Sequence, residues 1–229
     1  MNVFRKNLPL IADVLTIITG VLMALSVYLV FFHAPLEEVM GWPQKIFYFH
    51  VPIAISCYFG FFFTFIGSIG YLWTKDFKWD RLAVAGAETG IVFTILMLGT
   101  GMLWARPIWG SYWTWDPRLT TSLILLIIFV GYLILRSRVE DETLRAKYAA
   151  VMGIVGYADV PLVHYSVKLW SRGIHPVIER SANDPGMHPD MFTAFKVCIV
   201  TFILLFALLL IQRVRLGYVN SEIERLKHS

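Results

Sequence analysis

Two histidines, a block of large aromatics and a set of arginines are the residues of this chain that can do chemistry together. His50 lies in Ile-Phe-Tyr-Phe-His-Val-Pro, near the start of one apolar run, and His175 in Trp-Ser-Arg-Gly-Ile-His-Pro, just after another. Between them, residues 109–118 read Trp-Gly-Ser-Tyr-Trp-Thr-Trp-Asp-Pro-Arg. Neutral imidazole is the commonest side-chain metal ligand, and haem iron accepts it as an axial ligand. A haem needs one or two imidazoles, apolar walls for the macrocycle and cations for its two propionates. His50 and His175, the aromatic block, and Arg106, Arg118, Arg172 and Arg180 supply those three types.

Plainer roles compete for the same residues. Trp and Tyr gather at membrane interfaces as belts whatever the function. Against a belt stands concentration: Trp104, Trp109, Trp113 and Trp115 crowd one connection, although the chain has eight Trp in all. Asp116 followed by Pro117 is a good N-cap and first-turn pair for the next helix. Arg118 can pair with Asp116 or with lipid phosphate, and an interfacial His can be no more than a polar residue.

The elements that position these groups are apolar helices. Hydrophobic residues make up 57% of the 229 and charged residues 16%, with a mean hydropathy of +0.64, which excludes an ordinary soluble domain. About 20 apolar residues cross a bilayer core. Six such runs are predicted, at about 8–32, 46–73, 82–104, 119–135, 148–170 and 191–211. The expected fold is therefore an all-α polytopic membrane protein of six transmembrane helices, with residues 1–229 as one integral membrane domain. The first run is too long for a signal peptide and reads as a retained anchor.

Lys and Arg are unevenly distributed over the two sets of connections. Thirteen of the 20 fall with the termini and the connections near residues 75–81, 136–147 and 213–227; the other seven fall with the aromatic block. The positive-inside rule then places both termini in the cytoplasm and the tryptophan-rich loop outside. His33, His50, His164, His175 and His188 lie on or near the outer side. The basic residues are spread over loops rather than gathered in one patch, so the net charge of +4 does not imply nucleic acid.

The segment Trp109–Thr120 resembles the tryptophan-rich "WWD" signature of the haem-handling proteins of cytochrome c maturation, and most closely their CcmC branch. Tyr48-Phe49-His50-Val51-Pro52 before it and Pro161-Leu162-Val163-His164-Tyr165-Ser166-Val167 after it carry the same likeness. Together with the six-run length they extend it over nearly the whole chain. Tyr112 departs from the pattern, which usually has Trp there, and residues 171–174 match less closely. The resemblance implies His50 and His175 as axial ligands from opposite sides of a non-covalently bound haem. It implies Trp109, Tyr112, Trp113 and Trp115 as walls, with Asp116 and Arg118 shaping the loop and Arg118 meeting a propionate. It also implies haem bound for transfer at a bacterial inner membrane to a periplasmic chaperone of the CcmE type. The implied companions are the ATP-binding-cassette pair CcmA and CcmB and the small membrane protein CcmD.

Three other functions are weighed against that one. A b-type cytochrome needs histidine pairs within the runs, and only His164 is placed there. A haem–apocytochrome ligase of the same superfamily has more runs or a large outer domain. A permease for another apolar ligand fits the composition alone. Cys57 and Cys198 lie in apolar runs and read as small hydrophobes, and no Cys-x-x-Cys-His is present. No nucleotide motif is present either, so any ATP chemistry is expected on a partner chain, and the resemblance implies a haem-delivery protein and no enzyme. Glu88 and Asp159 fall within apolar runs, where ionisable groups are costly, and are expected to pair. Pro161 is expected to kink the fifth run, and His164 to be buried and hydrogen-bonded. The glycines at 60, 67 and 70 and at 86, 90, 99 and 101 suit close helix packing.

Overall fold

The computed structural model describes residues 3–170 and 187–227, with side-chain surroundings from Leu10 onward except for Glu224. The described residues are helical apart from short connections. In order they form α1 (Val3–Tyr28), α2 (Phe47–Thr74), α3 (Phe77–Trp109), α4 (Pro117–Arg138), α5 (Glu142–Tyr157), α6 (Asp159–Leu169) and α7 (Pro189–Lys227). Six helical stretches are long and apolar enough to cross a membrane: Leu10–His33, Trp42–Thr74, Phe77–Trp109, Pro117–Arg138, Glu142–Leu169 and Pro189–Lys227. These are the six runs expected from sequence, and α5 with α6 makes one of them.

Local chemistry sets the ends. The α2–α3 turn places Lys75 in the left-handed region at φ 57°, and Asp76 caps α3 by accepting from the Lys78 backbone N–H at 2.8 Å. That bond, together with the Lys78 ammonium at 3.0 Å, holds the Asp76 carboxyl below the usual carboxylate range. Asp116 and Asp141 cap α4 and α5 in the same way. The fifth crossing breaks at Ala158, three residues before Pro161. The break falls where a kink was expected, since proline clashes with the carbonyl four residues back and offers no N–H to bond it. At ~1.5 Å per residue α7 is ~58 Å long, well beyond the ~30 Å of a bilayer core.

Helices α2 and α3 form the centre of the bundle, and glycine lets them touch. A Cβ added at Gly60 would lie 2.5 Å from the Gly90 Cα, and one at Gly67 2.7 Å from the Ala83 backbone N. Around this pair packs an aromatic core in which Phe61 of α2 stacks on Phe129 of α4 at 3.9 Å. Helix α1 joins the bundle along α7, where buried Ser26 and Thr201 share a hydrogen bond of 2.9 Å.

Polar links sort the helix ends into two groups. At one end Arg81 lies over the Tyr218 ring, and the Tyr71 hydroxyl donates to the Thr143 carbonyl. Toward the same end, Arg136 of α4 grips Asp80 of α3 with two bonds, at 2.6 and 2.8 Å. Arg213 of α7 donates to Glu88 of α3, the pairing expected for that acid. Asp159 behaves otherwise: it is buried, and its Oδ2 has no hydrogen-bond partner.

The Asp80–Arg136 pair gives a stability prediction. Its side chains are 10% and 13% exposed, so removing one leaves a buried charge uncompensated, at about 3–5 kcal/mol. Asp80→Ala should lower the thermal midpoint of the detergent-solubilised protein sharply. Asp80→Ala combined with Arg136→Met should recover most of the loss. Equal destabilisation in both would show that packing, not charge, holds this contact.

Candidate ligand-binding site

The other end of the bundle carries the residues singled out from sequence. Lys45, buried in the 3-10 turn Trp42–Ile46, donates to the carbonyls of Ala34 at 2.6 Å and Pro35 at 3.2 Å, tying the exit of α1 to the entry of α2. This fixes the first turn of α2, where His50 stands. The His50 Nδ1 lies 2.9 Å from the Thr100 hydroxyl of α3. Trp104, one turn further along α3, sets its ring edge-on to the imidazole at 5.8 Å. Phe47 meets Trp104 at 6.1 Å and stacks on Phe195 of α7 at 4.8 Å. His50 therefore sits in an aromatic frame built by three helices. Gly101 leaves room for its ring, since a Cβ there would lie 3.2 Å from Cε1.

The tryptophan-rich segment continues from α3. Sequence placed Trp109 in a loop, but α3 runs through Arg106 and Pro107 and ends at Trp109. Gly110 at φ 76° closes the helix, its N–H bonding the Arg106 carbonyl at 3.0 Å. The loop proper is residues 110–116. Arg106 donates to the Gly110 carbonyl and lies over the Tyr112 ring at 5.6 Å. The Ser111 hydroxyl donates to the Trp113 carbonyl at 2.9 Å. Trp113 packs inward, against the core cluster that includes Ile53, three residues from His50. Trp115 meets it edge-on at 5.6 Å and is itself 75% exposed, and Tyr112 is also exposed. Asp116 is buried and accepts from the Arg118 backbone N–H at 2.9 Å, the capping role that Asp-Pro suggested.

Arg118 turns toward α6 and donates to the His164 carbonyl at 3.2 Å, so the loop's far end is pinned to the helix after the kink. Its Nε is buried without a hydrogen-bond partner, as is the indole Nε1 of Trp104. Both donors are buried, where leaving them unmet is costly. The His164 side chain corrects the expectation of a buried histidine: it is exposed, edge-on to Tyr165 at 4.8 Å, while its backbone carbonyl accepts from Arg118.

His50, Trp109, Tyr112, Trp113, Trp115, Asp116 and Arg118 thus all fall at one end of the bundle. His175, Arg172 and Arg180 lie outside the described residues. Sequence reasoning missed Thr100 and Phe47 as site residues. The available signal was position: Thr100 lies one turn before Trp104, at the same end of α3 as the aromatic block.

The arrangement offers an imidazole held at Nδ1 by Thr100, a frame of flat rings, two outward-facing aromatics and two arginines. It suits a large, flat, apolar ligand with anionic edges and an atom that accepts a nitrogen lone pair. Comparison with known proteins agrees. The model of the family described as Heme exporter protein C, CcmC, matches residues 2–229. The Heme exporter protein C of Escherichia coli strain K12 is 35% identical over 185 residues, covering 80% of this chain and 73% of the relative. That of Bradyrhizobium diazoefficiens is 32% identical over 209 residues, covering 91% and 79%. That of Haemophilus influenzae is 30% identical over 210 residues, covering 91% and 85%. A family match of this extent, carried by a chain with six membrane-crossing helices and this aromatic site, shows that the protein belongs to the Heme exporter protein C (CcmC) family.

Proposed function

We propose that this protein binds haem at the outer face of the bacterial cytoplasmic membrane and hands it to a periplasmic haem chaperone of the CcmE type for cytochrome c maturation. One observation carries the reading: His50, held by Thr100 and framed by Trp104, stands at the same bundle end as the tryptophan-rich loop. The excess of Lys and Arg at the opposite end orients that site outward and both termini inward.

In this reading His50 binds the iron on one side and His175 on the other. Trp109, Tyr112, Trp113 and Trp115 cover the macrocycle, and Arg106 and Arg118 meet the propionates through charge-assisted bonds. Two axial ligands saturate the iron and suppress its redox side reactions. The exposed Trp115 and Tyr112 leave the site's edge open toward the periplasm, where a chaperone collects the ring. Release needs one axial bond weakened, or the short loop 110–116 displaced. The protein acts by delivery and not by catalysis. CcmA and CcmB supply any ATP hydrolysis, and CcmD completes the membrane assembly.

Reconstitution with a purified CcmE-type chaperone tests the delivery step. Haem-loaded protein in nanodiscs should transfer haem to the chaperone, detected as a separable haem-carrying chaperone band. Retention of all haem by the membrane protein, with an active chaperone present, would contradict delivery.

A further inference from the structure

The hydrogen bond between His50 and Thr100 has a direction that the surrounding contacts decide. A threonine hydroxyl has one proton and two lone pairs. The Thr100 hydroxyl lies 2.7 Å from the Leu96 carbonyl and 3.2 Å from that of Met97, both acceptors only. Its proton therefore goes to the helix backbone, in the i−4 pattern common for threonine. What Thr100 presents to the imidazole at 2.9 Å is a lone pair, so the nitrogen facing it must carry the hydrogen.

We infer that Thr100 is a positioning residue that holds His50 as its Nδ1–H tautomer and aims Nε2 as the iron-binding nitrogen. The inference rests on the haem reading for its purpose, though not for its geometry. The ring has three neighbours that locate it: Thr100 bonds Nδ1, Trp104 packs in a T-shaped arrangement at 5.8 Å, and Gly101 clears space at Cε1.

The identity of the partner adds a consequence for transfer. Metal-ligating histidines often donate their second N–H to a carboxylate, which raises the basicity of the ligating nitrogen. A hydroxyl already engaged with a backbone carbonyl orients the ring while adding little negative charge. Compared with a carboxylate partner, such a hydroxyl would raise the basicity of Nε2 less, which suits a protein that must give its haem away.

The test uses the full-length protein with Thr100→Val, which keeps the shape and removes the acceptor, and Thr100→Ser, which keeps the acceptor. The first readout needs no haem: 15N chemical shifts of the His50 ring in detergent report the tautomer. Wild type and Thr100→Ser should show hydrogen on Nδ1, and Thr100→Val a mixture of both tautomers. The second readout is haem dissociation to excess apomyoglobin, which should be about 10-fold or more faster in Thr100→Val and restored in Thr100→Ser, the scale typical for loss of a ligand's partner. Unchanged tautomer and dissociation in Thr100→Val overturn the inference, and equal loss in both variants assigns Thr100 to packing and overturns it too. A wild type that takes up no haem defeats the haem reading, and the tautomer shifts then still decide the role of Thr100.

Discussion

His50→Ala should cost the protein its haem. The variant is expected to weaken binding by more than the roughly 10–100-fold that follows loss of a mere partner to a metal ligand, because here the ligand itself goes. The loss should be specific. His50 is only half-buried, in the first turn of α2, and the Thr100 hydroxyl that it meets remains bonded to the helix backbone. Truncation leaves the α2–α3 glycine contact and the aromatic core untouched, so the thermal midpoint of the haem-free protein should stay close to that of wild type. Haem titration followed at the Soret band checks the first expectation and thermal unfolding the second. His50→Gly with added imidazole should recover part of the binding, since a free imidazole can occupy the space between Thr100 and Trp104. Normal affinity in His50→Ala would remove this residue from the site.

Gly60→Val should be the most damaging small substitution in the bundle. A Cβ at Gly60 meets the backbone of α3: the Gly90 Cα at 2.5 Å, the Gly90 N at 2.7 Å and the Gly86 carbonyl oxygen at 3.0 Å. No rotamer change relieves such contacts, so α2 and α3 must move apart. Overpacking costs about 1–3 kcal/mol where side chains can adjust and more where they cannot. The expected result is a large fall in folded yield after detergent extraction, with loss of haem binding, because the His50–Thr100 contact spans these two helices. Gly99→Val is the matched control: a Cβ there meets nothing within 4 Å, and its fold and binding should be retained. Similar behaviour of the two variants would mean that close α2–α3 contact does not hold the site together.

The six crossings were legible because apolar length alone marks them, and so were the caps at Asp116 and Asp141, where residue type and position coincide. Helix ends were less legible. Trp109 lies on α3 because a helix tolerates Pro107 near its last turn and waits for Gly110 to stop it. Helix α7 runs on to Lys227 because polar residues past the bilayer continue a helix as well as apolar ones do. Among acids within the crossings, the partner of Glu88 is 125 positions away on α7, a distance no local pattern bridges. For Asp159 the expected partner is absent at Oδ2, which leaves the polar atom beside the kink as an unexplained cost. His164 illustrates the limit of one-dimensional placement: a residue inside an apolar run can still face outward on its helix. Thr100 was invisible for another reason. Its role exists only once α2 and α3 bring it to a histidine 50 residues earlier.

The central claim is that His50 and His175 hold haem iron at this end of the bundle. The visible absorption spectrum of the purified protein, recorded beside His50→Ala and His175→Ala, tests it most directly. The account predicts a bis-histidine Soret and α/β band pattern in the parent that is lost or shifted in each variant. A parent without haem after supplementation, or a parent spectrum retained in both variants, would contradict it.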